Sequence, residues 1–213
     1  MRPYVLGVTG GFASGKSTVT AMLGQLGAAV VDADAVVREL SAPGGPVWEA
    51  VRRAFGDEVL DERGEIRREH LRRLIFRDPV ARQRLNEATH PVVLRELRRR
   101  IQRWVQGDGG ERVAVVAVEI PLLFEAGTAA RKLVDAVLVV WADAATCLKR
   151  ARGRGLTEEE ARAAAAAQLP LEEKKARADF VVDNSGSREA TRQQVEALWR
   201  RLVNRADCPG GAR

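Results

Sequence analysis

Apolar residues in this chain gather in short runs separated by longer stretches with helical spacing. Tyr4–Val8 predicts a buried strand that runs into a glycine-rich turn, and Ser17–Leu26 has the spacing of a helix. Ala28–Val31 predicts a second strand, followed by Asp32-Ala33-Asp34 and a helix over Ala35–Leu40, which the turn-forming residues from Ser41 to Pro46 stop. From Val47 to Gln106 the pattern is helical and amphipathic, with breaks expected near Gly56, Gly64, Asp78-Pro79 and His90-Pro91, and no strand is evident there. Gly107-Asp108-Gly109-Gly110 closes that stretch. Val113–Val118, Asp135–Trp141 and Phe180–Val182 predict the third, fourth and fifth strands. Helices are expected over Asp143–Arg152, from a Thr157/Glu160 capping box to about Gln168, and over Ser187–Arg205, where Val195, Leu198, Trp199 and Leu202 share a face.

Strand and helix alternate, which predicts an α/β fold: a five-stranded parallel sheet joined by right-handed crossovers and flanked by helices. Residues 1–205 read as a single domain carrying a mostly helical insert at about 38–107, and 206–213 as a disordered tail. Ligands of such sheets sit beyond the carboxyl ends of the strands, and the segments Gly10–Ser17 and Asp32–Asp34 both lie at such ends.

Composition narrows the function classes. Two cysteines in 213 residues build no disulfide framework, so a reducing cytoplasm is the expected compartment. The longest apolar run, Ala136–Ala142, is far below the roughly 20 residues that span a bilayer, and the start is too short for a signal peptide, so the mature chain is expected to begin near Met1 with no membrane contact. Residues 50–105 hold 15 Arg against 9 Asp and Glu, an excess equal to the whole chain's net charge of +6. Few aromatics interleave there, so a solvated helical face or a pocket for a small phosphorylated ligand is preferred to nucleic-acid binding. No obligate protein partner is inferred.

Gly10-Gly11-Phe12-Ala13-Ser14-Gly15-Lys16-Ser17 matches G-x-x-x-x-G-K-[ST] between a strand and a helix, the setting this motif requires. Backbone N–H groups of residues 11–17 and the helix N-terminus would cradle a triphosphate, Lys16 would reach its β and γ oxygens, and Ser17 would offer a hydroxyl to Mg²⁺. A dinucleotide fingerprint fails because Phe12 stands where backbone must approach the pyrophosphate. The guanine signature N-K-x-D does not occur, which argues against a GTPase.

The acceptor side decides between a kinase and a regulatory ATPase. Asp34, just past the second strand, is the candidate to orient a hydroxyl and take its proton, with helix capping as the alternative; Asp32 suits the cap at least as well. Glu119, ending the third strand, is a candidate to hold Mg²⁺ through water, though it is longer than the usual Asp. Arg150 and Arg154 could swing onto the transferring phosphoryl group, with Gly153 and Gly155 letting a lid move, or they are ordinary surface arginines. A single histidine among the candidate site residues, His90, and no clustered Cys leave Mg²⁺ as the one metal implied.

Taken in series, these residues resemble the dephospho-coenzyme A kinase family over nearly the whole chain. The likeness runs through Val8–Gly11, Lys16-Ser17-Thr18, Asp32-Ala33-Asp34 with Arg38, Pro43-Gly44, Leu85-Asn86, His90-Pro91, Ile120–Glu125, Leu148-Lys149-Arg150, Ala167-Gln168 and Asp183–Gly186. The resemblance implies a P-loop kinase core with a helical substrate-binding insert and a helical lid at about 150–178. It implies transfer of the ATP γ-phosphoryl to the ribose 3'-hydroxyl of dephospho-coenzyme A, with Mg²⁺. Under it Asp34 becomes the base, Arg38, His90 and Pro121-Leu122 lie near the acceptor, Arg150 and Arg154 fall in the lid, and Asn184 to Ser187, including Gly186, border adenine. Rival readings are a nucleoside or nucleoside-monophosphate kinase and an RNA-binding ATPase. The family usually has glycine where Ala13 stands, and the methyl group is expected to fit only if φ there is negative.

Overall fold

The computed structural model describes residues 2–107 and 112–207. The loop expected at Asp108-Gly109-Gly110 and the tail from Cys208 onward lie outside the described residues. The described chain forms two compact units, one within residues 2–32 and 100–207 and the other of residues 33–99.

The first unit is built on five parallel strands, β1 (Tyr4–Gly10), β2 (Ala29–Asp32), β3 (Val115–Glu119), β4 (Ala136–Trp141) and β5 (Phe180–Asp183), in the order β2-β3-β1-β4-β5. The three inner strands are buried along almost their whole length, whereas β2 and β5 alternate buried and exposed residues, as sheet edges do. One face carries α1 (Lys16–Gln25) and α10 (Arg188–Asp207). Leu6, Val8, Val115, Ala117, Leu138, Val140 and Val182 pack there against Val19, Leu23, Val195, Leu198 and Leu202. The remaining helices of this unit are α6 (Gly127–Arg131), α7 (Ala144–Arg152), α8 (Glu158–Ala166) and α9 (Leu171–Ala176), the last packing against β1 and β4. Asp143 caps α7 by accepting from the Thr146 N–H at 2.7 Å, and the Thr157/Glu160 box starts α8 as its spacing predicts.

The second unit holds α2 (Ala33–Leu40), α3 (Pro46–Phe55), α4 (Arg68–Arg77) and the part of α5 (Pro79–Gln106) up to Arg99. Its core is small, with Val47, Val51, Val59 and Leu71 at the centre. An antiparallel bridge between Leu60 and Ile66 closes the turn between α3 and α4, with the Asp61 carboxylate accepting from the Arg63 and Glu65 N–H groups.

Several boundaries differ from expectation. The helix break expected at His90-Pro91 does not occur: α5 runs through Pro91. Proline removes one ladder bond, at a cost of about 3 kcal/mol, and in a 28-residue helix the flanking turns carry that defect. The Thr89 hydroxyl adds a bond to the Leu85 carbonyl at 2.8 Å. The alanine-rich helix stops at Ala166, two residues early, and α10 continues through Ala206 and Asp207, which were assigned to the tail. Helices α6 and α9 were not expected.

Candidate active site

The carboxyl ends of the strands bring the chemistry of the first unit to one edge. β1 ends at Gly10 and opens the loop to Lys16. Glu119 ends β3 and lies opposite Asp32 of β2 in the ladder, while β4 and β5 end at Trp141 and Asp183. The loop is tied from several sides. The Ser14 carbonyl accepts from Asn184 Nδ2 at 2.8 Å and from Arg150 Nη1 at 3.0 Å, and Arg150 Nη2 donates to the Asn184 carbonyl at 2.7 Å. Asn184 is buried, and its Oδ1 accepts from the buried Thr191 hydroxyl at 2.9 Å. Gly15 has φ +93°, and a Cβ there would lie 2.1 Å from Asn184 Nδ2, so both conformation and space require glycine.

Ala13 overturns its expectation. Its φ is +56°, the left-handed region in which a methyl group costs roughly 1–2 kcal/mol. The methyl is buried against Ala151 and Ala161, with Phe12, Leu148 and Leu156 around it, and that packing offsets the strain.

Ser17 Oγ donates to Glu119 Oε1 at 3.0 Å, and Glu119 is buried. Two hard oxygen ligands side by side suit Mg²⁺, which takes one or two protein oxygens and leaves its other positions to phosphate and water. The Ser14 hydroxyl is buried with no hydrogen-bond partner among the described residues, at a cost of about 1–3 kcal/mol. Lys16 Nζ donates to the Gly11 carbonyl at 2.9 Å. Ala13, Gly15, Lys16, Ser17, Thr18 and Arg154 line one small cleft, so two cations and two hydroxyls face the same space.

The expected arginine pair separates. Arg154 lines that cleft, whereas both terminal nitrogens of Arg150 are engaged by the carbonyls of Ser14 and Asn184. Pro121 sends its carbonyl to the Thr9 hydroxyl at 3.0 Å, Leu122 is 46% exposed, and Gly186 lies in the exposed turn after β5. Burial pushes the Cys147 thiol up from its ordinary value.

In the second unit Asp34 lies in the first turn of α2, inside the helix and so not at the capping position. Arg38 follows four residues later on the same exposed face. His90 is exposed on α5, in an open groove with Arg82, Gln83, Asn86 and Glu87.

Residues 4–190 match the family model described as dephospho-CoA kinase. The chain belongs to the dephospho-CoA kinase family. It is 47% identical over 200 residues to the dephospho-CoA kinase of Syntrophotalea carbinolica, an alignment covering 93% of this chain and 92% of that one. It is 46% identical over 197 residues to that of Symbiobacterium thermophilum, covering 92% and 80%. A crystal structure from Thermus thermophilus superposes with a TM-score of 0.79 at 34% identity, covering 95% of this chain and 99% of the other. As a member of this kinase family the chain has a P-loop nucleotide-binding fold and the final kinase step of coenzyme A biosynthesis as its family function. No helix among the described residues is long and apolar enough to cross a membrane.

Sequence reasoning missed Thr9, Thr191 and Lys174. Each is buried; Thr9 and Lys174 join segments distant in the chain, and Thr191 bonds back to Asn184 seven residues earlier. Thr9 and Thr191 lie within or beside motifs that were noted, but nothing in local spacing marks their partners.

Proposed function

We propose that this chain transfers the γ-phosphoryl group of ATP to the ribose 3'-hydroxyl of dephospho-coenzyme A, releasing ADP and coenzyme A. The observation that carries the reading is the family match across residues 4–190, joined to a phosphate loop whose Ser17 and Glu119 oxygens stand together. Backbone N–H groups of residues 11–17 hold the phosphate chain, and Lys16 leaves the Gly11 carbonyl for the β and γ oxygens. Arg150 and Asn184 keep the Ser14 peptide fixed, with the turn from Asn184 to Gly186 beside the adenine. Arg154 is the arginine assigned to the moving phosphoryl group, because it shares the cleft with Lys16. The proposed lid is the part of segment 150–178 that follows Gly153 and Gly155 through α8, because Arg150 is tied to the loop and α9 is packed on β1 and β4.

Ser17, with Glu119 as an outer partner, would hold Mg²⁺, which when bound neutralises charge on the phosphates. Asp34 takes the proton of the attacking 3'-hydroxyl, an effect worth about 10²–10⁴ in rate. Arg38, His90, Pro121 and Leu122 bind the acceptor. No membrane or nucleic acid takes part, and the reaction is cytoplasmic.

A panel of acceptors offered with ATP and Mg²⁺ tests the substrate. Turnover of dephospho-coenzyme A with uridine and nucleoside monophosphates inert is the expected result, and the reverse ordering ends the proposal.

A further inference from the structure

Lys174 sits on a six-residue helix yet is fully buried, a state lysine almost never adopts without a partner. Its Nζ lies 2.8 Å from Glu125 Oε1, 3.4 Å from the Pro121 carbonyl, 3.4 Å from Gln168 Oε1 and 3.5 Å from the Gly10 carbonyl. The first contact is an ion pair. The other three are long, and their attraction is that of a charge for carbonyl dipoles. These four oxygens come from three places: the start of the phosphate loop, the segment after β3 and the chain leaving α8. Glu125 Oε1 also accepts the Leu169 N–H at 2.9 Å.

The rest of α9 grips the same strand ends. Leu171 packs on Gly11, where an added Cβ would come within 3.1 Å of Leu171 Cδ2. Glu172 accepts from Trp141 Nε1 at 2.6 Å, and Lys175 Nζ lies 4.6 Å from the centre of the Trp141 ring. Four of six residues of one short helix are therefore spent on Gly10, Gly11 and the end of β4.

We propose that Lys174 is a positioning residue for the phosphate loop, acting through the Gly10 carbonyl with Glu125 as its counter-charge. In a planar trans peptide the Gly10 C=O and the Gly11 N–H point in opposite directions. Holding that oxygen on a buried ammonium therefore sets the direction of the Gly11 N–H, one of the first donors of the loop. Lys16 holds the next carbonyl, that of Gly11, until phosphate draws it away, so Lys174 is the lysine that stays on the loop. Lys174 touches no substrate in this role. It sets how well the loop receives phosphate.

The inference rests on the loop being the ATP cradle, and a binding measurement with ADP alone keeps it separate from the identity of the acceptor. Lys174→Met removes the charge at similar length. It is expected to raise the calorimetric Kd for ADP and the KM for ATP by about tenfold or more, with a much smaller change in the KM for dephospho-coenzyme A, felt through the Pro121 carbonyl. Lys174→Arg, which keeps the charge, should recover most of the loss. If Lys174→Met does not fold, Glu125→Gln provides the same reading in a milder form, since it removes the counter-charge and keeps an oxygen. Parental ADP affinity in a folded charge-removing variant overturns the proposal, and so does a fall in Tm with both KM values unchanged. Failure of the parent protein to bind ADP would instead overturn the reading of the loop.

Discussion

Around the phosphate loop, polar groups are tied by residues far apart in the chain: Arg150 and Asn184 both reach Ser14, and Lys174 reaches Gly10. In the helical unit two ion pairs join near neighbours, Arg52 with Asp57 and Arg99 with Glu96, and their arginines are exposed. Asp57 lowers its pKa and Arg52 raises its own through that hydrogen bond, but exposed pairs of this kind add little stability. The phosphate loop is thus a product of the whole sheet-bearing unit. Asp34, Arg38 and His90 stand on open helix faces, where a side chain can change without disturbing a core. Substitutions among these buried ties should therefore alter binding and stability together, and those in the second region should alter use of the acceptor with stability little changed.

The largest effect belongs to Lys16→Ala, expected to lower kcat/KM by about 10³-fold or more while circular dichroism stays that of the parent. A nearly normal rate would remove the phosphate-loop assignment. Asp34→Asn comes next and sharpens the contrast most. A fall of at least ~10²-fold in kcat is expected, with Tm and ATP affinity little changed. Lower stability at full rate would make Asp34 a helix residue and nothing more.

Smaller effects come from Asp143 and Ala13. The Thr146 N–H, then its hydroxyl, holds the Asp143 carboxyl below the usual range. A depressed folded pKa stabilises above the unfolded value and loses that contribution as pH falls through the folded one. Asp143→Ala should therefore lower Tm at neutral pH, and the gap from the parent should close below about pH 4 in thermal melts. Ala13→Gly is expected to change stability by less than about 1 kcal/mol, because relief of the left-handed strain and loss of a buried methyl oppose each other. A gain of several degrees in Tm would show that the buried methyl does not offset the strain.

The strands were legible because each is a short apolar run bounded by turn residues, and the loop because its glycines and lysine fall within eight consecutive positions. Glu119 was placed correctly at the end of β3, but its bond to Ser17 spans 102 residues and leaves no local trace. Helix α9 escaped notice because LEEKKA is too short and too charged to show a period, although Pro170 stands at its cap. Lys174 escaped for the same reason that buried lysines generally do: a cation on a short helix reads as solvated. His90-Pro91 misled because proline signals a break that a long helix can absorb. Ala13 misled because steric preference alone pointed to negative φ, whereas the surrounding alanines and Leu156 hold the methyl in place.

The most direct test of the phosphoryl-transfer account is the product itself. With ATP, Mg²⁺ and dephospho-coenzyme A, ³¹P NMR should show one new phosphomonoester coupled to the ribose 3'-proton for each ADP formed. ADP accompanied by inorganic phosphate, or a phosphoester at any other position, would contradict it.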